Sequence, residues 1–169
     1  MKSEIKISDF LKTGKFGTVE INDSIKTVIE KLGEPDGNIN VSNTKKGIHY
    51  GMYELIFSND KLESIQNDRF DPKYPELIEF ENDKCKLNSE FLKADRIKSL
   101  GEIELELNKL NIEYGIIDYW DRKVIKTVGN VVIDFNDEVW SDNHNGFVKI
   151  ENMKNYELIG IRFYPISQR

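Results

Sequence analysis

A chain of 169 residues is long enough for one sizeable domain or for two small ones sharing a core. Thirty acidic against twenty-four basic residues give a formal charge of −6, which disfavours non-specific binding to nucleic acid or anionic membrane and favours a basic partner. The single cysteine, Cys85, excludes an intramolecular disulfide, and an aromatic fraction of 11% sets the chain apart from disordered sequences.

The first residues, Met1 to Lys6, lack the apolar run of a signal peptide, and no stretch reaches membrane-helix length, so the cytoplasm is the expected compartment. A short helix is predicted from Ser8-Asp9, carrying Phe10 and Leu11 and ending near Gly14 or Gly17. Next, Ile25, Val28, Ile29 and Leu32 share one helical face, with Asn22 and Asp23 as N-cap candidates, Gly33 as the stop and Pro35 forbidding continuation. From His49 to Phe57 the residues alternate as a strand, with Gly51 read as a bulge. Asn59-Asp60 then turns the chain into a return strand, Lys61 to Gln66. The stretch from Asp68 to Lys86 holds Pro72, Pro75 and many acids, and reads as a connection with a short strand at Leu77 to Phe80.

The second half opens with a predicted helix at Ser89 to Lys93. A longer one follows from Ser99 to Leu110, where Ser99-x-x-Glu102 forms a capping-box pattern. Residues 102–107 also alternate as a strand would, and the cap decides for helix. Strands are expected at Tyr114 to Trp120, Lys123 to Val128, Val131 to Phe135, Phe147 to Glu151 and Tyr156 to Tyr164, in an antiparallel meander.

The two halves repeat. Ser8-Asp-Phe-Leu-Lys12 recurs as Ser89-Glu-Phe-Leu-Lys93, and Ile25, Ile29, Leu32, Gly51 and Phe57 recur as Ile103, Leu107, Leu110, Gly129 and Phe135. The expected fold is therefore α+β: two helix-pair plus antiparallel β-meander repeats forming one sheet covered by helices on one face. Residues 1–70 make the first repeat, 71–88 an acidic connector and 89–169 the second repeat. Such a sheet leaves its other face free for a partner.

The segment Val19-x-Ile-Asn-x-x-Ile-x-x-Val-Ile-x-x-Leu-Gly-x-Pro35, followed by Tyr50-Gly-x-Tyr-Glu-Leu-x-Phe57, resembles the repeat of the SmpA/OmlA outer-membrane lipoproteins. It is also similar to the tandem fold of β-lactamase-inhibitor proteins. The resemblance covers about 50 residues of the first half and is looser in the second. The chain differs from the lipoproteins in lacking a lipidated cysteine at a signal-peptide boundary. The resemblance implies a small cytoplasmic bacterial immunity protein that neutralises a toxin by covering its active site.

No residue set for chemistry stands out, so no enzyme activity and no cofactor is expected. His49 lies within a strand, and His144 sits in the polar loop Ser141-Asp-Asn-His-Asn-Gly146, where Asp142 and His144 could ligate a metal but read more simply as a turn. Lys12-Thr-Gly-Lys-Phe-Gly17 lacks the spacing of a phosphate loop, and Asp134, Asp137, Glu138 and Asp142 miss the calcium-loop pattern. What remains is a surface. Tyr119, Trp120 and Trp140, rimmed by Asp118, Asp121, Glu138 and Asp142, suit recognition of a basic protein such as a toxin domain. Core burial of Trp120 and Trp140 is the competing account. A small-ligand-binding or structural role is the alternative function, with a pocket between the halves as its mark.

Overall fold

The structure, a computed structural model, describes residues 2–71, 73–119 and 122–163. Strand β1 (Ser3–Lys6) runs straight into helix α1 (Ile7–Thr13), one residue earlier than the sequence predicts. Ile7, Phe10 and Leu11 are buried at helical spacing, and Gly14 ends the helix in the left-handed region at φ 73°. No local side chain caps α1. Its Ser8 N–H instead donates to the Glu90 carboxylate, 2.7 Å away from the other half of the chain.

Helix α2 (Ile25–Leu32) has the expected bounds but a different cap. The Ser24 side chain, not Asn22 or Asp23, accepts the Thr27 N–H at 3.1 Å. Asn22 is turned into the left-handed region at φ 75°, while Asp23 accepts from Glu20 N–H at 2.8 Å and from Lys31 Nζ at 2.7 Å.

Four strands follow: β2 (Gly37–Asn40), β3 (Lys45–Tyr50), β4 (Tyr53–Ser58) and β5 (Lys61–Asn67). The single strand predicted from His49 to Phe57 is therefore two. Tyr50 pairs with Tyr53 across a two-residue turn, and Gly51, at φ 54°, supplies the positive dihedral of that turn, not a bulge. Asn59 and Asp60, at φ 49° and 61°, turn β4 into β5 as the sequence predicts.

The middle segment does more than connect. Pro75–Leu77 is a 3₁₀ turn, no strand forms at the expected Leu77 to Phe80, and β6 (Cys85–Asn88) pairs in parallel with β1. Ile78, Cys85 and Leu87 are buried in the core. Ser89 to Lys93, predicted as a helix, forms only a 3₁₀ turn, Glu90–Leu92, because Glu90 takes a left-handed φ of 49° as it reaches α1. The second half thus holds one α-helix among the described residues, not a pair. That helix is α3 (Leu100–Lys109), and it carries the predicted capping box: Ser99 and Glu102 each satisfy the other's backbone N–H. The hydrogen bond from Arg96, together with that from Ser99 N–H, holds the Glu102 carboxyl down to about 2.

Strands β7 (Tyr114–Tyr119), β8 (Arg122–Thr127), β9 (Val131–Asn136) and β12 (Glu157–Phe163) complete an eight-stranded antiparallel sheet, ordered β2-β3-β4-β5-β12-β9-β8-β7. Between β9 and β12 a separate hairpin is inserted, formed by β10 (Glu138–Ser141) and β11 (Gly146–Lys149). Only its second strand has a counterpart in the predicted Phe147 to Glu151. A 3₁₀ turn at Met153–Asn155 leads into β12.

Alternation divides the sheet into two faces. On one, Ile48, Leu55, Phe57, Ile65, Ile133 and Phe135 share a single apolar core with α1, α2, α3, β1 and β6. Ser24 and Ser99, the caps of α2 and α3, each form a bridge to the start of a central strand, at Lys61 of β5 and Glu157 of β12. Next along those strands, Leu62 N–H donates to Asp23 O at 2.8 Å, and Leu158 N–H to Lys98 O at 2.9 Å.

Candidate binding surface

The second sheet face is built differently. Ile56, Val124 and Val132 point to it and are buried, yet none belongs to the main core, which contains every buried residue of the three helices. Val132 lies directly between Arg162 on β12 and Lys126 on β8.

Beside Val132, and fully buried, is Asp134. It faces Gly160 across the β9–β12 pairing, where the register shifts at a bulge. The glycine is required there, since a Cβ would come within 2.5 Å of Asn67 O and 2.9 Å of Asp68 Cα. Two arginines converge on Asp134: Arg122 Nε lies 3.4 Å from Oδ1 and Arg162 Nη2 lies 3.3 Å from Oδ2. Arg162 Nε also donates to Asp68 Oδ1 at 2.7 Å. Burial pushes the Asp134 carboxyl above its ordinary value, against the pull of both arginines.

Further along the same face, Gln66 donates to Glu54 at 2.9 Å, and Glu54 pairs with His49 across β3 and β4. His49 and Glu54 border an open cleft of about 480 Å³, lined also by Ile39, Met52, Asp68 and Arg69. Arg122, Lys126, Arg162, Asp134 and Glu54 share the face, so it is mixed in charge.

At one end of the sheet stands the β10–β11 hairpin. Trp140 pairs with Phe147 across its two strands, with ring centroids 5.5 Å apart at 83°. Trp140 is 52% exposed and Phe147 66%, so core burial does not account for Trp140. The indole N–H donates to Asp142 Oδ1 at 2.9 Å.

The predicted surface residues are therefore only partly brought together. Glu138, Trp140 and Asp142 share the hairpin. Tyr119 is half-buried opposite Arg122 at the end of β7, while Asp118 is exposed and ion-paired to Lys123 at 2.5 Å. Because Ile125 faces Ile133, the Arg122 end of β8 lies at the Asn136 end of β9, so the β7–β8 tip and the base of the hairpin occupy the same end of the sheet. Trp120 and Asp121 lie outside the described residues. Phe147, Arg122 and Arg162 were not singled out from the sequence, and Asp134 was weighed only as one of four acids that miss the calcium-loop pattern. Asp134 had one available signal, a charge inside the apolar run Val131 to Phe135.

In the hairpin turn, His144 Nδ1 lies 3.0 Å from Ser141 Oγ while Asp142 holds Trp140, so the two are engaged by different neighbours. Among the described residues no group of three His, Cys, Asp or Glu side chains is placed to hold a metal ion. Of the acids in the middle segment, Glu79 accepts from Ser89 Oγ at 2.7 Å and from Lys93 at 3.1 Å, and Glu81 pairs with Lys2 at 2.6 Å. No described helix is long and apolar enough to cross a membrane. In comparisons with known proteins, no family model, no curated protein and no solved structure matches the chain.

Proposed function

We propose that this chain is a non-catalytic protein-binding module, an immunity protein that neutralises a bacterial toxin by covering its active site. The observation that carries this reading is the Trp140–Phe147 pair, two large rings held on a projecting hairpin and left to solvent. Exposed aromatic anchors of this kind dominate the energetics of protein interfaces, and the pair's cross-strand contribution to the hairpin itself is under about 1 kcal/mol. The sheet face opposite the three described helices extends the contact area, and the net charge of −6 favours a basic partner over an acidic one.

The same reading takes the chain as two helix–meander units joined through β5 and β12. It is supported by the twin clasps at Ser24 and Ser99, and by β4 and β9, which lie a constant 78 residues apart (53 to 131, 58 to 136). On this view the β10–β11 hairpin is an insertion carried by the second unit alone.

The test is neutralisation and co-purification with the toxin domain encoded by a neighbouring gene. The wild-type chain is expected to capture and silence it, and the doubly substituted W140A/F147A chain to lose at least 100-fold in affinity, as for a pair of interface hot spots. Full neutralisation by the double variant would remove the proposal.

A further inference from the structure

The geometry points to a guanidinium-binding corner on the hairpin, made by Trp140, Phe147 and Asp142, that takes an arginine side chain of the partner protein. This rests on the partner-binding reading and names the chemistry that the partner must present. Two rings at 83° with centroids 5.5 Å apart enclose a right-angled recess, and both are more than half exposed. The π-face of an indole attracts a cation held within about 6 Å of it. A planar guanidinium in the recess lies flat on one ring and edge-on to the other, an arrangement that a compact, strongly hydrated ammonium reproduces less well.

The carboxylate completes the corner. Asp142 Oδ1 accepts the Trp140 indole N–H at 2.9 Å, which fixes the carboxyl beside the indole, where a guanidinium on the ring would meet a charged acceptor. The chain's own cation on this hairpin face is engaged elsewhere: Lys149 stands opposite Glu138, and its ammonium lies 3.5 Å from Asp137. Apolar docking alone would use Asp142 only to hold the indole. An arginine uses all three side chains at once.

The corner is tested without the partner, by following the Trp140 indole N–H resonance, assigned by its absence in W140F, during titration with N-acetyl-arginine amide and with its neutral isostere N-acetyl-citrulline amide. Arginine amide is expected to give a saturable shift with a dissociation constant on the order of 10 mM. Asp142→Asn is expected to weaken it about three- to five-fold, with the dispersed spectrum of the fold preserved, and Phe147→Ala to weaken it similarly. Citrulline amide matching arginine amide, indifference to Asp142→Asn, or no saturable shift would each overturn the assignment. In those cases, a partner captured by the wild-type chain and lost by W140A/F147A leaves the binding module standing with an apolar contact at its centre.

Discussion

Buried carboxylates ordinarily accept several aligned hydrogen bonds, and Asp134 departs from that rule. Among the described residues its Oδ1 accepts the neighbouring Phe135 N–H at 2.9 Å, and its Oδ2 has no hydrogen-bond partner although Arg162 stands 3.3 Å away. Attraction without alignment repays desolvation poorly. The folded chain therefore holds the Asp134 proton more tightly than the unfolded chain, whose carboxyl titrates near 3.8, and stability falls as pH rises from there through the folded value. Asp134→Asn keeps the shape and removes the charge. It is expected to raise stability at pH 7 by about 1 kcal/mol and to flatten that decline, read from urea midpoints between pH 4 and 7. Equal pH profiles for the variant and the wild-type chain would show that the two arginines fully compensate the burial. A charge retained at such a cost on the face opposite the three described helices is the kind of local inconsistency that functional surfaces display.

Among the elements, the β5–β12 seam is the most exacting. Gly160→Ala drives a methyl group into the backbone of Asn67 and Asp68, and is expected to cost about 2–3 kcal/mol in urea denaturation. Gly115→Ala on β7 meets nothing within 4 Å and serves as the neutral control, expected within about 0.5 kcal/mol. Local chemistry made some elements legible in advance. The bounds of α2, the Ser99–Glu102 box of α3 and the Asn59-Asp60 turn all depend on residues within one helical turn or one hairpin. The misreadings share another cause. Tyr50 and Tyr53 sit on the same face as Ile48 and Leu55, and the three-residue step between the two tyrosines, which marks the turn, reads equally as a one-residue bulge at Gly51. The β1–β6 pairing joins Ser3 to Cys85 with four-residue strands of mixed polarity, and nothing local to either marks the other. Glu90 was counted as a helical residue because its partner, the Ser8 N–H, lies 82 positions away. Of the surface, Trp140 and Asp142 were recognised by residue type, whereas Phe147 required the hairpin register that sets it opposite Trp140.

At the level of the whole molecule, the hairpin is separable from the fold that carries it. None of residues 138–149 belongs to the core, and Asp137 O accepts the Ile150 N–H at 2.7 Å, so the strand ends beneath it are already paired. Replacing residues 138–149 with Asn-Gly, a favoured two-residue turn, is expected to move the thermal midpoint by no more than a few degrees while abolishing partner capture. A collapse of the fold on this replacement would show that the hairpin is structural. The sheet itself closes late, because its middle is where Ile65 meets Phe163 and Asn67 meets Ile161. During synthesis β5 leaves the ribosome almost 100 residues before the strand that covers it (65 to 163), with its outer row of amide and carbonyl groups unsatisfied. For that interval a nascent chain carries an adhesive border, and crowded polysomes or slowed elongation between these strands should be where this protein is lost to aggregation.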